Sequence, residues 1–400
     1  MLSPSHVQTA LEAQRAAFAG YQQAVAEQRQ LYEGLLRQWC GLGAEALRAR
    51  LAPYPRPGAL PTAERVAGRG AVLPFAPRWD NHQEARAWAK GILTGVTTVA
   101  VDGSQITPDP TFSVPVGAVQ VGWFENPHDP GQRYVKDLAF EVLPPEALSG
   151  DDPLGGGFPD RLVNLRRFEL ECDVLASHLR RLGSHLRRRA GRQPPAVCFL
   201  DGSLIISFAA QLSPGLKARY VRAITGLLSA SEETRVPLVG FVDTSYATDL
   251  TSALARLAGL GGELPSDPAL LAGQMAWGQR SEALLCARDD RLFAGDDGAS
   301  SYYVRVAFTY LKATAPNPPA RLDLPAWLLD AGLLEWVVDV VRAEAIVGTG
   351  YPYAAEAADA LSVITVADRE QFYRVFQSFL AEIGVELRYA RKAYSKRTRR

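Results

Sequence analysis

Apolar residues in the first fifty positions recur at helical spacing. Leu11, Ala17, Phe18, Tyr21, Val25, Tyr32, Leu35 and Leu36 are separated by polar and Arg-rich stretches, and no Pro occurs between residues 5 and 51. The pattern predicts one or two long amphipathic helices. The stretches "APYPRPGALP" and "VLPFAPRW" then interrupt it, and neither helix nor strand propagates easily through such Pro density. A helical arm with a Pro-rich linker is therefore expected over residues 1–80, ahead of a main domain over 81–390 and a short tail over 391–400.

The period then changes. Thr97–Val101, "FSVPVGAVQVGWFE" and "LAFEVLP" are rich in β-branched and aromatic residues and predict three strands in sequence, an antiparallel meander. A helical stripe follows from about Arg161 to Arg189, with Leu165, Phe168, Cys172, Leu175, Leu179, Leu182 and Leu186 on one face. Beyond it come a strand at "AVCFLDG", a helix near 215–231, a strand at "PLVGFVDT", a helix at 245–258, a strand at "YYVRVAF", a helix at about 330–346 and a final helix from Arg369 to Ile383. This order is neither a doubly wound repeat nor a helical bundle. It predicts an α/β fold, a mixed sheet flanked by helices, with an N-terminal helical arm.

Composition narrows the function classes. A 400-residue chain with 47% hydrophobic and 22% charged residues folds as one large or two modest domains, not as a disordered or fibrous protein. The formal net charge is zero, so any polyanion site must be a local patch. Cys40, Cys172, Cys198 and Cys286 form no CxxC pair, which argues against a zinc ribbon or a disulfide framework and for a reducing, cytoplasmic setting. No apolar run approaches the roughly 20 residues that span a bilayer, and the N-terminus has no signal-peptide pattern. Neither secretion nor a membrane is expected.

The chemistry lies in carboxylates. "VAVDGSQI" and "CFLDGSLI" each end an apolar run in Asp-Gly-Ser, which taken singly is ordinary turn chemistry at a strand end. Together, and separated by three meander strands and a long helix, they place strands one and four side by side in a ribonuclease H-like sheet and bring Asp102 and Asp201 to one site. A third carboxylate is expected from "RRFELEC" on the intervening helix. Glu169 and Glu171 lie about 200° apart on a helix, so at most one faces the sheet; Glu171 is the first choice and Glu169 the second. Arg166 or Arg167, one turn earlier, pairs with it, touches phosphate or forms a surface ion pair. Carboxylates without a histidine or cysteine cluster suit hard divalent cations. Two such ions about 4 Å apart favour phosphodiester hydrolysis. In "GTGYPYAAEAADALSVIT", a tight loop leads to Glu356 and Asp359, one helical turn apart, or to ordinary surface acids.

In order, "VDGSQI", "RRFELE", "LDGSLI", "VGFVDTSYA" and "GYPYAAEAAD" resemble the NurA nucleases, from about residue 95 to about 390. The resemblance implies a metal-dependent DNA nuclease with a ribonuclease H-like core, of the 5'-3' exonuclease and single-strand endonuclease type. It implies Mn²⁺ (or Mg²⁺), two ions per site, end resection in recombinational repair, a homodimer, and a hexameric HerA-type ATPase as partner. Carried over residue by residue, it implies that Asp102, Glu171 (or Glu169) and Asp201 hold the metals, that Tyr351 lies near the scissile phosphate and that Asp359 is a late ligand. Archaeal members typically have His where Asp359 stands, and this chain has no His after His185.

DNA, as single-stranded or double-stranded ends, requires local positive charge. The tail "RYARKAYSKRTRR" supplies Arg391, Lys392, Lys396 and Arg397 with two tyrosines for stacking. Arg166, Arg167, Lys217 and Arg219 are further phosphate candidates. Two other readings follow from the same residues: a catalytically weak DNA-clamp or adaptor subunit that docks onto and stimulates the ATPase, and a phosphatase using the same metals on small substrates.

Overall fold

The computed structural model describes residues 2–149, 160–187, 196–290, 292 and 301–385. The chain begins with helices α1 (Pro4–Ala13), α2 (Arg15–Cys40) and α3 (Ala44–Leu51), then short strands β1 (Gly58–Pro61) and β2 (Val72–Leu73). Helix α4 (His82–Leu93) precedes the meander β3 (Thr97–Ile106), β4 (Gly117–Asn126) and β5 (Val135–Leu143), which is followed by α5 (Asp160–Arg187). Next come β6 (Ala196–Asp201), α6 (Pro214–Thr234), β7 (Leu238–Val242), α7 (Asp249–Ala258), α8 (Asp267–Leu271), β8 (Arg280–Ser281) and β9 (Leu284–Ala287). Strands β10 (Val306–Leu311) and β11 (Ala320–Pro325) lead to α9 (Trp327–Asp330), α10 (Leu334–Val347), α11 (Tyr353–Ser362) and α12 (Val366–Glu382).

These elements form two compact units. One unit contains residues 1–77 together with 243–289 and 307–322. Two of these segments, 243–289 and 307–322, come from the stretch that the sequence reading placed in the 81–390 domain. Strand pairing is the cause: within the Pro-rich connector, β1 pairs antiparallel with β9, from Gly58 opposite Ala287 to Pro61 opposite Leu284. Buried charged groups of this unit have hydrogen-bond partners of opposite charge or of the backbone. Arg288 donates to both oxygens of Asp249 at 2.7 and 2.6 Å, and Arg321 adds a third bond to the same buried carboxylate. Asp267 accepts from the backbone N–H groups of Leu250 and Thr251, both at 2.9 Å, and so caps α7.

The other unit comprises the described residues of Arg78–Val242, Asp290–Val306 and Asp323–Arg400. Its sheet has the order β7-β6-β3-β4-β5. Strand β3 runs antiparallel to β4 and parallel to β6, from Thr97 opposite Ala196 to Val101 opposite Leu200. Strand β6 runs parallel to β7, and β4 antiparallel to β5. Three antiparallel strands, a helix and two parallel strands laid on the first make the ribonuclease H-like arrangement expected. The paired stretches of β3 and β6 are apolar at their centre: Val99, Ala100, Val101, Val197, Cys198 and Phe199 have almost no exposed surface. Such strands are covered on both faces.

Successive side chains on a strand point to opposite faces, and β3 uses this to address two helices. Gly103 points toward α5, where an added Cβ would lie 2.4 Å from Glu171 Oε1 and 2.9 Å from Arg167 Cγ. Asp102 points the other way, to α11, where the Ser362 hydroxyl donates to its Oδ2 at 2.6 Å. Opposite Asp102 on β4 stands Gly122, whose Cβ would lie 2.8 Å from Leu361 Cβ and 3.0 Å from Ser362 N. Gly122 thus sets how closely α11 approaches the sheet. Gly122→Val is expected to lift α11 and to cost about 1–3 kcal/mol by overpacking, measured as a lowered urea midpoint with unchanged slope.

Candidate active site

Strand β6 ends at Asp201 whereas β3 continues past Asp102 to Ile106. The two aspartates follow the last parallel pair, Val101 and Leu200, on neighbouring strands. Beyond Asp201 the chain leaves the sheet through Gly202, at φ +139°, a conformation that suits glycine. The turn is held by Asp323, which accepts from the Ser203 hydroxyl at 2.5 Å and from Leu204 N–H at 3.1 Å. The two Asp-Gly-Ser tripeptides therefore do different work: Gly103 stays within a strand and leaves room for Glu171, and Gly202 turns the chain.

Glu171 comes from α5 to lie against Gly103, the residue after Asp102. It is 6% exposed, and Arg167 Nη1 lies 3.3 Å from its Oε1 while donating to the Gly103 carbonyl at 2.8 Å. That Glu171 Oε1 has no hydrogen-bond partner. Burial pushes the Glu171 carboxyl up to about 7; Arg167 opposes the rise, and the charges of Asp102 and Asp201 add to it. Glu169 does not face this cluster. It takes two bonds from Arg219, at 2.7 and 2.6 Å, and a longer one of 3.5 Å from Arg166.

The late segment arrives from α10 and α11. Tyr351, in the loop between them, donates its hydroxyl to Asp201 Oδ1, and its ring meets Phe241 edge-on at 5.0 Å. Phe241 is the residue paired with Asp201 on β7. Asp359 is exposed on α11; desolvation and then the neighbouring Asp102 carboxylate hold it above the usual carboxylate range. Asp201 is raised as well, first by partial desolvation although the residue is open to solvent, then by Asp102 and Asp359, against the hydrogen bond from Tyr351. The loop is anchored below by Glu344, 1% exposed, which accepts from Ala354 N–H at 2.9 Å and lies 3.5 Å from His128 Nε2. His128 donates from Nδ1 to the Val96 carbonyl at 2.7 Å, so its Nε2 is left to face Glu344. Glu344→Ala would leave the first turn of α11 without its acceptor. A loss of roughly 1–3 kcal/mol is expected, read by denaturant unfolding, together with slower catalysis from a looser Tyr351.

The structure thus brings together Asp102, Glu171, Asp201, Tyr351 and Asp359. Arg167 joins them. Glu169, Arg166, Arg219 and Lys217 are engaged elsewhere: Arg166 forks onto Glu141 at 2.9 and 2.8 Å, and Lys217 donates to the Leu292 carbonyl at 3.4 Å. Arg391, Lys392, Lys396 and Arg397 lie outside the described residues. Ser362 and Glu344 were not singled out from the sequence. Ser362 could have been, because it follows Asp359 by three residues and shares its helix face.

The donor set consists of oxygen atoms, with Glu171, Asp201 and Asp359 held above the usual carboxylate range and one buried oxygen lacking a hydrogen-bond donor. A hard divalent cation fits that chemistry. Among the described residues no three His, Cys, Asp or Glu side chains are already drawn into a metal cage. Ser362, Arg167 and Tyr351 each hold a different carboxylate.

A family model described as NurA domain matches residues 96–364. No curated protein sequence matches the chain. Among solved structures, the chain is similar to the catalytic domain of human Endonuclease V at 16% identity and a TM-score of 0.30, over 76% of this chain and 92% of that one. It is similar to Endonuclease V from Bacillus subtilis at 12% identity and a TM-score of 0.30, over 76% of this chain and 98% of that one. It is also similar to A. aeolicus Argonaute at 11% identity and a TM-score of 0.27, over 67% of this chain and 28% of that one.

Proposed function

The chain belongs to the NurA family, and from that premise we propose that it is a divalent-metal-dependent DNA nuclease hydrolysing phosphodiester bonds at DNA ends. The observation that carries the reading is the placement of Asp102 and Asp201 at neighbouring positions of two adjoining strands, with Glu171 of α5 against Gly103 and within the electrostatic reach of both aspartates. Asp102, Glu171, Asp201 and Asp359 would hold Mn²⁺ or Mg²⁺, which when bound supplies Lewis-acid stabilisation of phosphoryl oxygens and a more acidic water.

The chain's own residues do the rest. Tyr351 orients Asp201 through its hydroxyl, and Ser362 orients Asp102. Arg167, 33% exposed and aimed at the cluster, neutralises Glu171 and is placed to meet a phosphate oxygen. Glu171, with a carboxyl near neutrality, can hold or release a proton at working pH. Asp359 supplies a hard oxygen donor where archaeal relatives have an imidazole.

The family further supports a homodimer, a hexameric HerA-type translocase as partner, and a 5'-3' exonuclease and single-strand endonuclease role in end resection for recombinational repair. Purified protein should degrade end-labelled single- and double-stranded DNA with Mn²⁺ and not with EDTA, and addition of the ATPase should increase the rate. DNA binding with no cleavage under any divalent cation, alone or with the ATPase, would transfer the reading to a DNA-clamp adaptor. Hydrolysis of a phosphomonoester but not of DNA would transfer it to a phosphatase.

A further inference from the structure

The turn that follows Asp201 is held more firmly than a loop requires. Tyr302 donates its hydroxyl to the Leu204 carbonyl at 2.9 Å and accepts from Ile206 N–H at 3.2 Å. Ser207 donates to Asp290 at 2.7 Å, and Tyr303 donates to the same carboxylate oxygen at 2.6 Å. With Asp323 on Ser203 and Leu204, both ends of the turn are fixed, and Leu204, Ile205, Ile206 and Ala209 are buried. In the middle of this clamped segment stands Phe208, 55% exposed. It is the one large apolar side chain exposed between Gly202 and Pro214.

Phe208 is tied to the carboxylate cluster by aromatic contacts. Its ring meets Tyr220 edge-on at 5.1 Å, and Tyr220 lies 5.1 Å from Phe168. Phe168 sits on α5 between Arg167 and Glu171, and the Tyr220 hydroxyl lies within the field of both those charges. The ring therefore stands two aromatic contacts from Phe168, the residue next to Arg167, and seven residues beyond Asp201.

We propose that Phe208 is a stacking platform for one base of a single DNA strand, about one or two nucleotides from the scissile phosphate. The proposal rests on the nuclease reading above. A base suits the feature better than a protein partner does, because a single exposed ring in a segment whose other large apolar side chains are not exposed offers a π-face but no extended apolar area. A duplex keeps its bases stacked inside, so the platform selects unpaired ends.

The test uses the full chain in EDTA with oligonucleotides carrying one 2-aminopurine at successive positions. Wild type should quench the fluorophore at one position near a single-stranded end. Phe208→Ala should lose that quenching and weaken single-strand binding about 5- to 150-fold, the range of one base–aromatic stack, with blunt-duplex binding unchanged. Phe208→Trp should restore both, and Phe208→Leu neither. Unchanged quenching in Phe208→Ala, or rescue by Leu, overturns the platform. Cleavage by wild type in Mn²⁺ is scored separately. Quenching that depends on Phe208 without any cleavage would overturn the nuclease reading and leave the platform standing; cleavage with quenching indifferent to Phe208 would do the reverse. Absence of DNA binding by wild type would overturn both.

Discussion

Asp201→Ala and Asp102→Ala should each lower the initial rate of Mn²⁺-dependent DNA cleavage by on the order of 10³-fold or more, the scale of losing one preorganised electrostatic group in an active site. Neither change should unfold the chain. Asp201 is exposed and ends its strand, and Asp102 is half-buried and accepts from the Ser362 hydroxyl. Circular dichroism and melting curves close to wild type would accompany the loss. Glu169→Ala provides the contrast: it shares the helix with Glu171 but faces Arg219, so most activity should remain. Undiminished cleavage in both aspartate variants, or a Glu169 variant as inactive as a Glu171 variant, would remove the carboxylate cluster from the mechanism.

Glu171→Gln should make the protein more stable at pH 8 while nearly abolishing cleavage. The Glu171 carboxyl is pushed from 4.5 to about 7 by burial first. Between those values the folded chain holds a proton that the unfolded chain has lost, so stability falls as pH rises. Above pH 7 the full cost of ionising the group in place is present, ~3 kcal/mol for a shift of this size. Glutamine has nothing to ionise. Melting temperatures of the two proteins should coincide near pH 4.5 and separate by several degrees by pH 8. Mn²⁺ should narrow the gap by stabilising wild type more than the variant. A gap that stayed constant across this pH range would mean that Glu171 is not strained by its neighbours.

The part of the fold that positions the site was legible because its strands are long and apolar and its helix is strongly periodic. The meander, α5 and β6 all lie where the pattern put them, to within a few residues. What escaped was short or locally disguised. Strands β1, β2, β8 and β9 have two to four residues each, too few for alternation to register. Strand β11, "ARLDLP", is buried at every position although it carries Arg321 and Asp323. Arg321 is neutralised by Asp249, which a sequence cannot announce. Helix α4 did carry a signal: Asn81 accepts from Glu84 N–H at 3.0 Å, an N-cap readable three residues ahead of its glutamate.

The choice between Glu169 and Glu171 lay beyond periodicity alone, because either can face inward on an isolated helix. The glycine at 103 and the arginine at 219 separate them, one by leaving space and the other by supplying a competing partner. The repeated tripeptide read as two walls of one site, and its two aspartates stand on neighbouring parallel strands. Its two glycines are interchangeable as letters, yet Gly103 tolerates no added carbon beside Glu171 while nothing stands within 4 Å of one added at Gly202, where the limit is the backbone angle.

The bond from Ser362 to Asp102 spans 260 residues, and that from Tyr351 to Asp201 spans 150. During synthesis, which delivers the N-terminal part first, Asp102, Glu171 and Asp201 leave the ribosome long before α11 does. Until then both aspartates lack their hydroxyl donors, and Asp359 is absent. A chain halted or clipped before residue 351 carries most of the acidic centre but not the segment that orients it. On the proposed reading, cleavage competence waits for the last quarter of the chain to be made and docked.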